Sequence, residues 1–255
     1  MKKMSLSQIL VLLAVLVVIV VNGLANALPF NDMSTGDISD QFDVYFVPAG
    51  YVFSIWGLIY VGLILFGIYQ VLPAQRDNPR LKRIRGYFLL SSVANMVWLF
   101  LWHYLFFFWT LIAMLTLLFS LIMIYLRLEI NRTSVSAAEK WLVHLPFSVY
   151  LGWITVATIA NATSLLDYLQ WGGWGISEVA WTVIMLIAGV VIAALMSFTR
   201  RDVAYQLVIV WAYIGIAVKH TQTPTVAITA WVTAGLVVVA LIAGLLLDKP
   251  RRVAA

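Results

Sequence analysis

The residues of this chain that could do chemistry are amides and indoles rather than acids, bases or nucleophiles. There are no cysteines, so thiolate nucleophiles, disulfides and thiolate metal sites are excluded. The three histidines, His103, His144 and His220, stand apart and lack the spacing of helical metal ligands. No G-x-S-x-G, Walker loop or H-E-x-x-H occurs, and no carboxylates pair inside an apolar stretch. Nothing here proposes catalysis, and the chain is read as a non-enzyme that needs no cofactor. What remains is Asn22 with Asn26, then Phe53, Trp56 and Tyr60, then Asn95, Trp98 and Trp102. A fourth set is Pro146, Tyr150, Trp153, Ala157 and Asn161. Spacings of three, four and seven put each set on one face of a helix. Indoles and amides on such faces can line a cavity or simply pack between helices.

Helices must carry these sets, and the composition says where the helices stand. Of 255 residues, 63% are hydrophobic and 11% charged, with a mean hydropathy of +0.97. Soluble domains run roughly 45–50% apolar and about 25% charged, so a soluble globular protein is excluded. Disorder is excluded as well, because there is too much apolar surface to leave unburied. Eight apolar stretches run over 6–28, 51–72, 86–105, 108–127, 141–164, 176–198, 203–219 and 224–247. At roughly 20 residues per crossing, the fold class expected is an all-α integral membrane protein, an eight-helix transmembrane bundle. The third and fourth stretches meet in an uncharged aromatic run, Trp102 to Trp109. Together they are too long for one crossing, so a tight turn between His103 and Phe108 is predicted.

The net charge of +5 calls for no nucleic-acid partner in a chain of this kind. With the N-terminus in the cytoplasm, 15 of the 16 lysines and arginines fall in cytoplasmic segments, and only Lys219 lies outside. That asymmetry predicts eight crossings with both termini cytoplasmic, and the short basic start suits a bacterial inner membrane. The start also mimics a signal peptide, with Lys2-Lys3, an apolar run and the small-x-small triplet Ala25-Asn26-Ala27. Cleavage would leave seven spans and the same asymmetry. The apolar stretch continues to Leu28 and reaches spanning length, so the first span is read as retained.

Aspartates and glutamates sit in loops or at span ends, which counts against proton- or sodium-coupled transport and against retinal chemistry. Loop 29–50 holds Asp32, Asp37, Asp40 and Asp43 without calcium-loop spacing, and is read as a solvated acidic lid. Trp109, Trp141, Trp171, Trp174 and Trp231 near span ends are read as interface anchors. Asn22 and Asn26 are read as interhelical glue, and Gly189, Ala193, Gly235 and Gly244 as points of close approach among the last helices. For Trp56, Trp98 and Trp153, ligand lining and plain packing both remain open. Their common depth points to a mostly apolar cavity that opens outward.

The segment Val47-Pro48-Ala49-Gly50-Tyr51-Val52-Phe53-Ser54-Ile55-Trp56-Gly57-Leu58-Ile59-Tyr60 is similar to P-P-G-W-x-F-x-x-x-W-x-x-L-Y, which opens the second helix of TspO/MBR proteins. These are the tryptophan-rich sensory proteins related to the mitochondrial translocator protein. Asn95-Met96-Val97-Trp98-Leu99-Phe100 resembles that family's L-N-x-x-W-x-x-L-F, and Pro146-Phe147 with Trp153, Ala157 and Asn161 resembles its P-Y-x-x-W-x-x-x-A-x-x-x-N. The resemblance covers about residues 1–170, a five-helix bundle, and leaves 171–255 as a three-helix C-terminal extension. Ala49, Tyr51 and Phe147 depart from the pattern, and Tyr168 has no basic residue within reach to complete a cholesterol-type motif.

The resemblance implies a pocket between helices, capped by the loop that joins the first two. Family members bind porphyrins and related flat apolar ligands there. Carried over, Trp56, Asn95 and Trp153 line the pocket, with Phe53, Pro48, Trp98, Ala157 and Asn161 as second candidates. The implied function is a membrane receptor or sensor for a tetrapyrrole such as protoporphyrin or haem, and the alternative is a passive transporter or exporter of small apolar molecules. Light-dependent porphyrin breakdown, also linked to the family, would need an ordered tryptophan beside the macrocycle. Family members are often dimers, so a homodimer is a further expectation, and no interface is assigned.

Overall fold

A computed structural model describes residues 4–28 and 30–247 of the chain. Expectations resting on Lys2, Lys3, Lys249, Arg251 and Arg252 fall outside the described residues, as does the side chain of Asn26. Among the described residues all regular structure is helical. Eight long helices follow the eight apolar stretches: α1 (Leu6–Ala27), α2 (Ile55–Val71), α3 (Pro79–His103) and α4 (Phe107–Arg127). The others are α5 (Leu145–Tyr168), α6 (Glu178–Arg200), α7 (Val203–Lys219) and α8 (Pro224–Leu246). The protein is therefore an integral membrane helical bundle. Seven of these spans are long and apolar enough to cross a bilayer, while α7 has 17 residues, about 26 Å at 1.5 Å per residue.

Local chemistry sets the helix ends. Ser5 and Gln8 close a capping box over the first turn of α1. Asn78 accepts from the backbone N–H groups of Arg80 and Leu81, and Pro79 fits the first turn. These start α3 well before its apolar run. The tight turn predicted between His103 and Phe108 is present, with Leu105 reversing the chain at φ 63°. One turn of π-helix, Lys140–His144, leads into α5.

Around the bundle α1, α2, α5, α4 and α3 follow one another, and α3 closes on α1. Helix α7 packs on α5, and α8 lies against both α7 and α6. Small residues permit these contacts. A Cβ on Gly152 of α5 would meet the Tyr205 carbonyl and Val208 of α7 at 3.1 Å. Gly189 lies under the hydroxyl of Tyr213, which donates to the Leu186 carbonyl at 2.9 Å. Gly244 lies on the Ser197 backbone, and Ala193 is fully buried. Gly235 differs from expectation: nothing stands within 4 Å of where its Cβ would be, because it turns away from the partner helices.

The end of the bundle that carries most of the basic residues, the basic end, holds polar contacts that tie helices together. Gln8 and Gln70 donate reciprocally to each other's backbone carbonyls at 2.7 and 2.9 Å, joining α1 to α2. Arg80 grips Glu139 with two hydrogen bonds of 2.7 and 3.0 Å. Asp202 accepts from Tyr125 Oη at 2.7 Å and Ser148 Oγ at 2.6 Å while capping α7 through the Tyr205 N–H. Glu139 and Asp202 are 3% and 2% exposed, so these two acids at span ends serve packing and not solvation. Arg200 lies over the Tyr125 ring at 5.4 Å and completes the contact between α4, α5 and the α6–α7 corner.

Candidate functional site: an aromatic cavity beneath a folded lid

At the opposite end, the chain between α1 and α2 folds over the bundle. Its first half rests on α3. Phe30 stacks on Phe100 at 5.2 Å, Asn31 Nδ2 donates to the His103 carbonyl, and Trp102 Nε1 donates to the Thr35 carbonyl. A short helix, Thr35–Ser39, is capped by Ser34, whose hydrogen bonds hold the Asp37 carboxyl below the usual carboxylate range. Ile38, Phe46 and Val47 are almost wholly buried. The lid is therefore a packed structure, although its aspartates face outward.

Beneath it lies a cavity of about 50 Å³, lined by Pro48, Phe53, Trp56, Trp98, Trp102 and Trp153 among others. Met114 forms part of the floor, and Ala157, Asn161 and Ser164 of α5 complete the side wall. The rings are held by edge-to-face and stacked contacts. Trp153 meets Trp56 at 6.2 Å and 82°, and Phe53 at 5.8 Å and 83°. Trp98 stacks on Trp102 at 5.5 Å. Each such pair is worth roughly 0.5–1.5 kcal/mol beyond the area it buries, so the walls are stiff.

Of the eight residues that the sequence suggested, seven stand around this cavity: Pro48, Phe53, Trp56, Trp98, Trp153, Ala157 and Asn161. They come from the lid, α2, α3 and α5. Asn95 does not join them. It turns toward α1, where its Oδ1 accepts from Asn22 Nδ2 at 2.9 Å, and it is 1% exposed. Asn22 meets only the carbonyl of this deep amide, and Asn95 Nδ2 is buried without a hydrogen-bond partner. Asn22 is thus interhelical glue, as expected. Asn161 is held from both sides, donating to Thr110 Oγ1 at 2.9 Å and accepting from Trp98 Nε1 at 3.4 Å.

The polar inventory is short. Among the described residues no charged side chain lines the cavity. Trp153 Nε1 is buried without a hydrogen-bond partner, an open donor in a wall whose other polar side chains include Thr35, Ser39, Asn161 and Ser164. Trp102, Met114 and Ser164 join the lining without having been pocket candidates, although the sequence had already placed Trp102 on the face of Trp98. Below the cavity the bundle is solid: Phe66, Phe88 and Phe147 pack with centroids 4.9 to 6.1 Å apart, and all three are 1% exposed or less.

A membrane-embedded helical ring with a small aromatic cavity under an interhelical lid is the class of fold these contacts define. The particular family follows from comparison. The family model described as TSPO-like protein matches residues 8–243, nearly the whole chain, and the protein belongs to that family. The match runs beyond residue 170 and takes in α6, α7 and α8. No curated protein and no solved structure matches the chain.

Proposed function

We propose that the protein is a membrane receptor or sensor that takes a flat apolar ligand, a tetrapyrrole such as protoporphyrin or haem, into the cavity beneath the lid. One observation carries this reading: seven residues scattered from 48 to 161 converge on a single wall of rings, an amide and small side chains. Aromatic faces suit a conjugated macrocycle, and Ala157 leaves room beside them. Drug-sized ligands occupy about 300–1,000 Å³, several times the present space, so binding requires the lid to lift or the rings to part. With no cation in the wall, carboxylates on the ligand stay at the lid, and the apolar ring goes inside.

Reception is favoured over the alternative, passive transport, by the packed Phe66–Phe88–Phe147 plug between the cavity and the basic end. The charge asymmetry supports an orientation with the basic end in the cytoplasm and the lid outside, in a bacterial inner membrane. Binding without chemical change of the ligand is the role this wall suits, since among the described residues its polar side chains are indoles, hydroxyls and one amide, and none is charged.

The test is equilibrium binding of protoporphyrin IX to the full chain in lipid nanodiscs, with empty nanodiscs as the partition control and its neutral dimethyl ester as competitor. Saturable binding displaced by the ester is expected. Uptake equal to that of empty discs overturns the proposal.

A further inference from the structure

The second half of the lid, from Tyr45 to Ser54, ends in a 3-10 turn, Gly50–Ser54. Several of its polar groups are also met by one stripe of α7. The Ala49 N–H donates to the Gly215 carbonyl at 3.1 Å. Trp211 Nε1 donates to the Val52 carbonyl at 3.1 Å, and His220 Nε2 bonds the Val47 carbonyl at 3.1 Å. Lys219 and Asp40 form an ion pair at 2.6 Å. Rings repeat the match: Tyr51 stands edge-on to Trp211 at 5.3 Å, Tyr45 to His220 at 5.3 Å and Phe46 to Tyr213 at 6.3 Å. At Gly215 any Cβ would run into Val52 and Pro48, so the lid lies directly on the α7 backbone. Residues 211, 215 and 219 are four apart and share one face.

No α7 residue lines the cavity, yet the lid segment that α7 holds contributes Val47, Pro48 and Phe53 to its wall. We infer that α7 is a working part of the ligand site: Trp211, Gly215, Lys219 and His220 are positioning residues that fix the cavity's lid wall, and the site opens when this segment leaves α7. The C-terminal helices then have a purpose beyond packing. Helix α5 anchors α7 through Gly152, and α8 backs it, so the lid closes against a fixed post. The inference deepens the receptor reading and rests on it for the ligand, although the closure itself can be measured without one.

The chain has no cysteine, so Val47→Cys introduces a single thiol into the buried cavity wall, where valine is 2% exposed. Maleimide labelling in nanodiscs then reports how often the lid is open, because labelling of a buried group follows the population of the open state. Trp211→Phe with His220→Phe keeps the rings and removes two hydrogen bonds. Ordinary net hydrogen-bond strengths make the expected acceleration about ten-fold. Lys219→Gln, at the helix end, removes only the ion pair and gives about a three-fold acceleration. Val218→Ala, on an exposed face of α7, leaves the rate unchanged. Protoporphyrin IX dissociation from the double variant is faster by the same ten-fold.

If labelling is unchanged in Lys219→Gln and in a folded double variant, the clamp is wrong, whatever the protein binds. If the double variant does not fold, the Lys219→Gln rate decides. If labelling accelerates but the wild-type chain takes up no porphyrin beyond partition, the clamp stands and the receptor reading falls.

Discussion

Replacing Asp202 with alanine tests how the C-terminal helices are fastened to the ring. The carboxylate is 2% exposed and accepts from Tyr125, Ser148 and the Tyr205 N–H, which belong to α4, α5 and α7. Two buried hydroxyls lose their acceptor, at about 1–3 kcal/mol each when nothing replaces it. The helix loses its N-cap as well, at about 1 kcal/mol. Rotation of the hydroxyls onto nearby carbonyls recovers part of this, so the expected net loss is about 3 kcal/mol. For a chain of this size that corresponds to a fall in unfolding midpoint of roughly 10 °C. Asp202→Asn keeps one oxygen for the cap and should lose about half as much. The assay is reversible unfolding by SDS titration from mixed micelles, followed by tryptophan fluorescence and circular dichroism. A loss below about 1 kcal/mol for the alanine variant would show that Asp202 is only a helix cap and that packing alone holds α7 to α5.

Arg80→Leu strips Glu139 of its two-bond partner and leaves a buried carboxylate. The loss expected in the same assay is about 2–3 kcal/mol, below that of a fully buried pair because Arg80 is 33% exposed. Gly189→Val drives a side chain into the hydroxyl of Tyr213 and separates α6 from α7, costing about 2–4 kcal/mol by overpacking and by loss of the bond to Leu186. Burial holds the His220 imidazole below its ordinary value against the pull of its bond to Val47 and of Asp43. With the lid open that value is recovered, near 6.5, so the open form binds more protons. Opening therefore grows as pH falls below about 6.5 and levels off at the lower value of the closed form. Hydrogen exchange of Ala49 and Val52, corrected for the intrinsic pH dependence, should show protection falling between pH 7 and pH 5. It should hold constant in His220→Phe.

The eight helices were legible because membrane crossing forces long apolar runs, but their ends were less so: α3 starts at Pro79 under the Asn78 cap, ahead of the apolar stretch that begins at 86. The cavity's indoles were legible because spacing puts Trp56, Trp98 and Trp153 on faces that meet at one depth. The choice of partner was not. Asn95 follows the same spacing as Trp98, but only the position of Asn22 on another helix decides that it turns away. Asp202, next to Arg200 and Arg201, reads as a solvated loop acid until Tyr125 and Ser148 converge on it from two other helices. The α7–lid contacts join residues more than 150 positions apart, such as Val52 and Trp211, and a glycine, an indole and a histidine at that distance carry no local signal. Gly235 shows the converse, a small residue whose context gives it nothing to approach.

The central claim is that the space beneath the lid is the ligand site, and filling it tests this most directly. Protoporphyrin IX affinity should be measured for the wild-type chain, Ala157→Trp, Trp153→Ala and the off-cavity Asn95→Ala, with folding of each confirmed. The account predicts binding weakened at least ten-fold when an indole occupies the cavity at 157, and about three- to ten-fold when the Trp153 ring is lost, one aromatic contact's worth. Asn95→Ala should bind as the wild type does. Equal affinity in Ala157→Trp and the wild-type chain would contradict the account and place any ligand outside the lid.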